Sequence, residues 1–561
     1  MAMYNSNRFH HIKCKQLIRR GSPEVYQLTP PKETIGTLTR ITLGERNVKE
    51  TNKTILLLGE TGSGKSTLIN ALVNYAMGVR WEDDVWFKIV DEKGNRQSET
   101  EEEDKSQSGS EEEEEEESQC VSQTSDVIVY QICGFQDKTL PFSLTIIDTP
   151  GYGDTRGAKQ DEKVSKSLLD LFRSEDGVHE INVVGLVLKA AENRLSDRFR
   201  YVLDSVMSLF GKDMEENIVS LITFSDGTKP KNALKTLKTA QIKCAKGEKD
   251  QPIHFLFNNC QNEKRGERKE ALENAYKTTM TGLRQFGEFL EKKSPQMLEG
   301  TVTVLKDRIT LEACIKNLKE RIEFIEPKQR EIQQVQEALR RHEQEKKKNE
   351  NFYETFDEPY KERENFNGRR QGDYFEGVIC CLVCEENCHD PCERVSKPGS
   401  CKVMKRGHCA VCTNKCPVSA HVKEQWRYVI KTRKVQRTLQ DVKKWFDMSQ
   451  AECEKTASQL ETLQKKMNKL QEEKHRWLED AYQHILSLEQ IALNTKSLST
   501  HIHLDFLIEK MKEKGEAEKV RRLEEIQKRE DEGTRAGLSY MLGRARAAAG
   551  KVVKEIGQLR M

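Results

Sequence analysis

A glycine-rich segment has the spacing that points most directly to chemistry. Residues 59–66 read Gly-Glu-Thr-Gly-Ser-Gly-Lys-Ser and fit the pattern G-x-x-x-x-G-K-[ST]. In this pattern the glycines let successive backbone N–H groups face phosphate oxygens, and the helix that follows adds its N-terminal dipole. The lysine can reach the β- and γ-phosphates, and the serine hydroxyl can ligate Mg²⁺. The candidate nucleotide-binding residues are Gly59, Thr61, Gly62, Ser63, Gly64, Lys65, Ser66 and Thr67.

A second motif, Asp148-Thr149-Pro150-Gly151, follows the apolar run FSLTII. An aspartate at the carboxyl end of a strand beside such a loop can hold Mg²⁺ through water, and the N–H of Gly151 can contact the γ-phosphate. An ordinary strand-to-turn connection is the alternative for the same four residues. Because a glycine follows the aspartate at the third position, the motif favours a GTPase over a generic ATPase.

Base recognition in GTPases normally uses a segment [NT]-K-x-D after a strand. Here Thr223-Phe224-Ser225-Asp226 keeps the threonine and the aspartate. The carboxylate of Asp226 can accept hydrogen bonds from both N1–H and N2–H of guanine, and adenine offers no such pair of donors. Phe224 replaces the lysine and can lie against the base, but it cannot supply the hydrogen bonds of a lysine. Guanine is therefore the expected base.

These motifs lie in a part of the chain where apolar runs of strand length alternate with segments of helical spacing. The apolar runs are 55–59, 127–132, 142–147, 183–188, 218–224 and 253–257. Buried strands that alternate with helices imply a mostly parallel sheet with helices on both faces. We therefore expect an α/β P-loop GTPase domain over residues 51–295.

Together with Ser122-Gln123-Thr124, the two phosphate motifs resemble those of the septin-like branch of P-loop GTPases. The likeness is greatest to the immunity-associated (AIG-type) GTPases, whose relatives include the chloroplast import-receptor GTPases, and it covers roughly residues 51–262. The resemblance implies that Thr124 closes on Mg²⁺ and the γ-phosphate, so that Ser66, Thr124 and Asp148 are the expected Mg²⁺ ligands. It also implies that Asn258 lies near the base. Ordinary loop and turn roles are the alternatives for Thr124 and Asn258.

Tyr152 follows Gly151, at the position where Ras-like switches carry a glutamine that orients the attacking water. A tyrosine there cannot polarise water, so we expect slow intrinsic GTP hydrolysis and identify no catalytic residue. A group from a second molecule can supply the missing function, since the septin-like GTPases that this chain resembles pair through their nucleotide faces.

A cysteine cluster lies in the second half of the chain. Nine of the 16 cysteines fall within the 37 positions 380–416. Cys381-x₂-Cys384 and Cys409-x₂-Cys412 have the spacing of zinc knuckles, and nearby donors, including His389, are plentiful. Free or redox-active thiols are the alternative. Since a tetrahedral Zn²⁺ needs four ligands, we expect one or two ions. The expected ligands are Cys381, Cys384, Cys388, Cys392, Cys409, Cys412, Cys416 and His421.

Strand patterns disappear beyond about residue 295, and apolar residues recur three and four positions apart. One seam, interrupted at Pro327, is Leu311, Ile315, Leu318, Ile322, Ile325, Ile332 and Leu339. A second is Leu460, Leu463, Met467, Leu470, Trp477, Ala481, Leu488, Ile491, Leu498 and Ile502. Helix packing within one chain and oligomerisation both explain these seams. We expect a coiled-coil helix at 296–348, a zinc module at 349–424 and long helices or coiled coil at 425–532.

Three segments are expected to lie outside the compact domains. Residues 1–50 are polar and read as an N-terminal tail. Residues 99–118 contain 12 acidic residues and one lysine, which predicts a disordered insertion in the GTPase domain. Residues 533–561 form a basic tail with helical spacing. Peripheral contact with an anionic membrane is one explanation of this tail, and a frayed or partner-binding segment is the other.

Composition limits the function classes. The formal net charge is only +2, so no nucleic-acid partner is expected. No apolar run of membrane-spanning length and no secretory signal occur in the sequence, which predicts a cytoplasmic protein. We expect a homo-oligomeric GTP-binding protein with GTP/GDP, Mg²⁺ and Zn²⁺ as cofactors, acting as an assembly switch through paired G domains and coiled coils. The alternative is a zinc- and coiled-coil-based interaction scaffold with a structural or barely hydrolysed nucleotide.

Overall fold

The chain folds into two compact units that each combine distant segments. A computed structural model describes residues 14–35, 38–47, 50–90, 126–135, 139–152, 158–192, 196–266, 268–345, 353–368, 370–371, 374–393, 395–438, 459–494 and 498–528, with Phe9 and Ile12. The first unit is Met1–Leu305 with Ile491–His501 and Ile526–Met561, and the second is Lys306–Gln490 with Ile502–Glu525.

Strands and helices alternate in the first unit. Its strands are β1 Lys15–Arg19, β2 Glu24–Leu28, β3 Lys32–Ile35, β4 Leu38–Leu43, β5 Asn52–Gly59, β6 Val85–Lys88, β7 Ile128–Ile132, β8 Ser143–Asp148, β9 Glu180–Ile181, β10 Val183–Lys189, β11 Ile218–Thr223, β12 His254–Leu256 and β13 Gln296–Met297. Its helices are α1 Lys65–Ala76, α2 Ala158–Arg173, α3 Asp197–Met207, α4 Lys231–Thr239 and α5 Lys269–Lys292.

An eight-stranded sheet organises this unit, in the order β12-β11-β10-β5-β8-β7-β4-β3. The strands from β12 to β8 run parallel to one another. β7 is antiparallel to β8, β4 is parallel to β7, and β3 turns back on β4. The expected α/β fold with a mostly parallel sheet is thereby confirmed. The carboxyl ends of five strands meet at one edge, which is where open α/β sheets bind ligands.

The centre of the sheet is buried on both faces. Ile55, Leu56, Leu57 and Leu58 of β5 are each 0 % exposed. Because successive side chains of a strand point to opposite faces, four buried residues in a row require cover on both sides. This explains why β5 reads as a continuous apolar run instead of an alternating one.

The prediction of a tail at residues 1–50 is wrong for the part that forms strands. β4 pairs with β7 from Thr39↔Ile128 to Leu43↔Ile132, and β3 forms a hairpin with β4. β1 and β2 join β6 in a separate three-stranded sheet. Leu38, Ile41 and Leu43 are buried, so the short segment LTRITL supplies apolar side chains to the core. Its polar neighbours concealed this contribution.

The second unit also contains strands. They are β14 Tyr353–Asn365, β15 Arg370–Gln371, β16 Tyr374–Phe375, β17 Gly377–Cys381, β18 Glu386–Cys392, β19 Met404–Lys405, β20 His408–Cys409, β21 His421–Glu424 and β22 Trp426–Thr438. The helices that follow α5 in the chain are α6 Glu299–Glu345, α7 Gln459–Ile491, α8 Leu498–Lys514 and α9 Ala517–Lys528.

The predictions that strands end near residue 295 and that 425–532 is helical are wrong for β14 and β22. These strands pair antiparallel from Tyr353↔Thr438 to Asn365↔Trp426. Tyr428 and Ile430 alternate with Arg427 and Lys431 in β22, a period of two that fits a strand. The partner strand is remote in sequence, so no local turn signal indicated the pairing.

The described residues of the first apolar seam are buried inside the second unit, and those of the second seam are buried or half-buried. Leu311, Ile315, Leu318, Ile322 and Ile325 of α6 are at most 5 % exposed. Ile332 and Val335 of α6 share a cluster with Phe356, and Met467 and Leu470 of α7 pack against it. Of the two explanations for the seams, these contacts favour helix packing within one chain. The helix α6 also runs through Pro327 without ending there.

Several sequence predictions fall outside the described residues. They concern Thr124, the acidic insertion 99–118, the basic tail 533–561, and the side chains of Leu339, Leu460, Leu463, Leu498 and Ile502. Among the helices that are described, none has the length and apolar character needed to cross a membrane.

Candidate nucleotide site and metal centre

The glycine-rich loop connects β5 to α1. Gly62 and Gly64 have φ values of +76° and +89°, in the left-handed region that glycine adopts without strain. A Cβ on Gly59 would lie 2.5 Å from the Val187 carbonyl oxygen, so the loop begins pressed against β10. No described side chain caps the N-terminus of α1. The first N–H groups of this helix are therefore oriented to bind an anion, as a phosphate site requires.

Lys65 lies inside this loop. Its side chain is buried, and its Nζ donates to the carbonyl oxygens of Gly59 at 3.0 Å and Glu60 at 3.1 Å. Burial lowers the pKa of Lys65 to about 8, and the charges of Asp148 and Glu60 oppose this shift. A phosphate in the loop would add negative charge and favour the protonated amine.

The Asp148–Gly151 segment lies directly against the loop. β8 pairs with β5 so that Asp148 is opposite Leu57, and the Thr149 Oγ1 donates to the Leu57 carbonyl oxygen at 2.9 Å. A Cβ on Gly151 would lie 2.6 Å from the Thr61 Cα, so only glycine allows this close approach. Asp148 is 0 % exposed. The structure thus brings the two predicted phosphate motifs together.

Thr223 ties the base-recognition segment to the same loop. Its Oγ1 donates to the carbonyl oxygen of Ser63 at 2.7 Å. Phe224 follows with φ +52° and is 58 % exposed, and a Cβ on Gly64 would lie 3.5 Å from its ring. The Asp226 Oδ1 accepts from the Thr228 Oγ1 at 2.7 Å and the Thr228 N–H at 2.8 Å. These bonds lower the pKa of Asp226 and orient an ionised acceptor.

Asn258 follows β12, next to the base-recognition segment. The Ser225 N–H donates to the Phe257 carbonyl oxygen at 3.0 Å, which joins the two segments. The Asn258 N–H donates to the Thr279 Oγ1 at 3.0 Å, and the Asn258 Oδ1 lies 3.2 Å from the Cys260 Sγ. The structure therefore brings Asn258 near Asp226. The backbone N–H and the side-chain Oδ1 of Asn258 both take part in contacts of the turn in which it lies.

The sequence analysis missed Lys189. This residue ends β10, the strand between β5 and β11 in the sheet. Its Nζ would lie 3.9 Å from a Cβ on Gly62 and is 5.9 Å from the centroid of the Phe224 ring. A cation is therefore placed between the phosphate loop and the exposed aromatic ring. Its position at the carboxyl end of an inner parallel strand was the available signal.

Residues 49–170 match the family model described as Septin. The chain contains a septin-like P-loop GTPase domain. Among solved structures, a dimerization-deficient mutant of Toc33 from Arabidopsis thaliana is 14 % identical, covers 44 % of this chain and 88 % of its own, and has a TM-score of 0.26. Toc33 from the same plant in complex with GDP and Mg²⁺ is 14 % identical, with 44 % and 87 % covered and a TM-score of 0.26. No curated protein matches the chain.

The predicted metal ligands of the second unit gather in groups. Within each group the sulfur and nitrogen atoms lie within 4.8 Å of one another. The first group is Cys381, Cys384, Cys412 and Cys416, the second is Cys388, Cys409, Cys412 and His421, and the third is His389, Cys392 and Cys401. All the cysteines among them are free thiols. Such Cys/His sets suit Zn²⁺, which prefers sulfur and imidazole nitrogen.

The small sheet β18-β17-β21 positions the first two groups. Cys381, at the end of β17, pairs with His421, at the start of β21. Backbone N–H groups face the sulfurs: the Cys412 N–H donates to the Cys409 Sγ at 3.3 Å, and the Cys416 N–H to the Cys412 Sγ at 3.2 Å. Donors of this kind stabilise thiolates and orient them toward a metal.

Hydrogen bonds shift the pKa values of Cys412 and His421 in the second group in opposite directions. Hydrogen bonds from Cys381 and Cys388 lower the pKa of Cys412 to about 4. Burial lowers the pKa of His421, but hydrogen bonds with Cys381, Cys409 and Cys412 outweigh it and raise the pKa to about 12. The lowered pKa of Cys412 favours a thiolate, which is the form that binds a metal cation.

A buried ion pair holds the cysteine loop to α6. The Arg321 Nη2 donates to the Glu386 Oε2 and to the Val411 carbonyl oxygen, each at 2.6 Å. The same Glu386 oxygen accepts from the Thr413 N–H at 3.0 Å. The Trp477 ring covers the Arg321 guanidinium at 4.3 Å. These contacts position the segment that contains Cys409 and Cys412.

Two donors of the third group were absent from the predicted ligand set. Cys401 has no knuckle spacing to another cysteine, and His389 was noted only as a nearby donor. Cys392 lies with these two residues and outside the other two groups. Cys380 belongs to none of the groups among the described residues, and its Sγ lies 3.6 Å from the Asn387 Oδ1.

Proposed function

We propose that the chain binds GTP, hydrolyses it slowly and uses its nucleotide state to control assembly. The observation that carries the nucleotide assignment is the meeting of three segments at one edge of the sheet. These are the glycine-rich loop, Asp148–Gly151 and Thr223–Asp226. Ser66, Thr124 and Asp148 are the proposed Mg²⁺ ligands.

The residues of the site fit this ligand. The left-handed glycines and the uncapped helix suit phosphate, and Lys65 supplies a cation next to the loop carbonyls. The oriented carboxylate of Asp226 suits a base with two adjacent donors, which guanine has and adenine lacks. When bound, Mg²⁺ neutralises phosphate charge.

Slow hydrolysis is supported by the residue after Gly151. Tyr152 is only 1 % exposed, and its N–H donates to the Gly59 carbonyl oxygen at 3.1 Å. Such a tyrosine offers no amide group to orient water. A low turnover number for the isolated protein, rising with protein concentration, is the expected behaviour if a second copy completes the site.

Assembly is proposed to use the nucleotide face of the GTPase domain. The described apolar seam residues of α6 and α7 pack within one chain, which leaves them little part in contacts between chains. Sedimentation with GDP and with a non-hydrolysable GTP analogue tests this switch. A larger species is expected with the GTP analogue, and identical sedimentation in both nucleotides would reject it.

Nucleotide competition on full-length variants tests the assignment of the site. We expect Lys65→Ala to abolish GTP binding, because the variant removes the cation in the phosphate loop. Lys231→Ala is the matched control, since Lys231 also begins a helix of this unit but is exposed.

Asp226→Asn is expected to shift preference from GTP toward XTP, because its amide presents a donor where guanine also donates and xanthine accepts. Asp176→Asn, at an exposed site, should keep the wild-type order. An unchanged GTP-over-XTP preference in Asp226→Asn would refute its role.

A zinc-based interaction scaffold is the second candidate function, and the Cys/His groups favour it. We propose that the module binds structural Zn²⁺, because a small sheet with a cysteine-rich core gains folding energy from metal. In this function the nucleotide is structural and turnover is negligible, so measured GTP hydrolysis and nucleotide exchange separate the two candidates. We also propose a cytoplasmic location, with residues 533–561 as a region of peripheral membrane contact.

A further inference from the structure

The three Cys/His groups do not divide their ligands equally. Cys412 belongs to both the first and the second group. Together these two groups contain seven residues, whereas two separate tetrahedral ions would need eight ligands. A thiolate sulfur has enough lone pairs to bind two ions at once. One shared cysteine therefore completes two four-ligand sites.

The spacing of the donors agrees with tetrahedral zinc. Two sulfurs that are each about 2.3 Å from a tetrahedral ion lie about 3.8 Å apart. The Cys384 and Cys416 Sγ atoms of the first group are 3.7 Å apart. In the third group the Cys392 and Cys401 Sγ atoms are 3.8 Å apart, and the His389 Nδ1 is 3.2 Å from the Cys401 Sγ.

Lysine side chains lie beside all three groups. Six thiolates and two Zn²⁺ ions in the first two groups would carry a net charge of about −2. Lys361 donates to the Cys384 carbonyl oxygen at 3.2 Å, and Lys415 donates to the Ala410 carbonyl oxygen at 2.6 Å. Two thiolates and one Zn²⁺ in the third group would be neutral. Two buried lysines, Lys402 and Lys423, act on Cys392 through their charge, and Lys423 donates to the Val395 carbonyl oxygen at 2.7 Å.

We propose that the module holds three zinc ions. Two of them share the Cys412 thiolate, and the third is bound by His389, Cys392 and Cys401. Among the residues that the structure describes, the third ion has three ligands, so its fourth position takes water or a donor from another molecule, as in zinc sites that keep an open position. This inference rests on the proposal that the module binds zinc, and it adds the number of ions and the ligands of each.

Metal content of the full-length protein, prepared with reductant and zinc, tests the count. Elemental analysis and native mass spectrometry are expected to give three Zn²⁺ per wild-type chain. Cys401→Ser and His389→Ala are each expected to lose one ion and to keep two. Cys380→Ser is the matched control, because Cys380 is equally buried in the same module but lies in no group. This control is expected to keep three.

Cobalt substitution tests the shared thiolate. Two Co²⁺ ions bridged by one sulfur couple antiferromagnetically. A chain loaded with three Co²⁺ ions is therefore expected to give the magnetic signal of one uncoupled Co²⁺ ion. A full signal from all three ions would overturn the bridge.

The third site would be overturned if the wild type and Cys401→Ser both contained two ions. A Cys392–Cys401 disulfide in the wild type would overturn it as well. Either result would leave the zinc proposal intact. A protein that folds without zinc would overturn both the third site and the zinc proposal. GTP binding is measured on the same sample and tests the nucleotide site separately.

Discussion

Lys65 combines a buried amine with a phosphate-binding loop, so its protonation should control nucleotide affinity. Burial lowers its pKa to about 8, and a bound phosphate favours the charged form. The complex therefore binds more protons than the free protein, and GTP affinity falls as the pH rises through this pKa. Between pH 7.5 and 8.5 the protonated fraction falls about threefold, and affinity should fall by about the same factor.

Isothermal titration at constant ionic strength measures this dependence. Lys65→Arg is the control, because its guanidinium stays charged over the whole range, so whatever affinity it retains should be flat with pH. Equal pH dependence in the wild type and in Lys65→Arg would contradict the assignment to this amine.

The sequence predicted some residues of the candidate sites and missed others. Lys65, Asp148 and Asp226 were predictable because each belongs to a motif whose backbone geometry requires neighbours of fixed type. Lys189 and Cys401 come from separate elements and have no such neighbours, so only the packed chain reveals them. The spacing of the Cys and His residues in the sequence also could not predict which of them form a group. This grouping depends on the register of β17 with β18 and β21.

At the scale of elements, the contact between α6 and the cysteine loop depends on Arg321. Removing one partner of a buried ion pair leaves the other charge unpaired, so Arg321→Ala should destabilise the second unit by about 3 kcal/mol or more. Lys316→Ala is the control from the same helix, because Lys316 pairs with Asp390 at 3.0 Å but is 46 % exposed. Because Lys316 is half exposed and Asp390 keeps Arg427 as a second partner at 3.7 Å, the loss of Lys316 should cost about 1 kcal/mol or less.

Chemical denaturation of the full chain, monitored by circular dichroism, measures how much each variant lowers the free energy of unfolding. A zinc-release assay with a chelator provides a second readout, since loosening the Cys409–Cys412 segment should speed loss of metal only in Arg321→Ala. Equal effects of the two variants would contradict the role given to Arg321.

Helices and strands were predictable where the sequence has a clear period of apolar residues or where a strand is buried on both faces. The central strands of the GTPase domain are continuous apolar runs, and the seam of α6 has a helical period, so both were identified correctly. β14 and β22 were missed because both contain many charged residues, and their stability comes from thirteen-residue pairing with a remote strand. Pro327 was expected to interrupt the seam, yet α6 continues through it, since surrounding buried residues hold both halves in place.

At the scale of the whole molecule, the GTPase unit is not a contiguous piece of sequence. The segment Ile491–His501 returns to it after Lys306–Gln490 of the second unit. The Leu493 N–H donates to the Phe210 carbonyl oxygen at 2.8 Å, and the Asn494 Nδ2 donates to the Asp204 Oδ1 at 2.9 Å. A boundary near residue 295, as the sequence suggested, would therefore remove a segment that packs on the GTPase unit.

This return segment should stabilise the nucleotide-binding unit from a distance of two hundred residues or more in sequence. Leu493 is 2 % exposed, and truncating a buried leucine to alanine costs about 2–5 kcal/mol. Leu493→Ala should therefore lower the temperature at which the protein releases a fluorescent GTP analogue, a readout that reports on the GTPase unit alone. Leu382→Ala, at a site that is 44 % exposed, should leave that temperature unchanged. If Leu493→Ala released the analogue at the wild-type temperature, the segment would contribute nothing to this unit, and a fragment ending at residue 305 should then bind GTP as stably as the full chain.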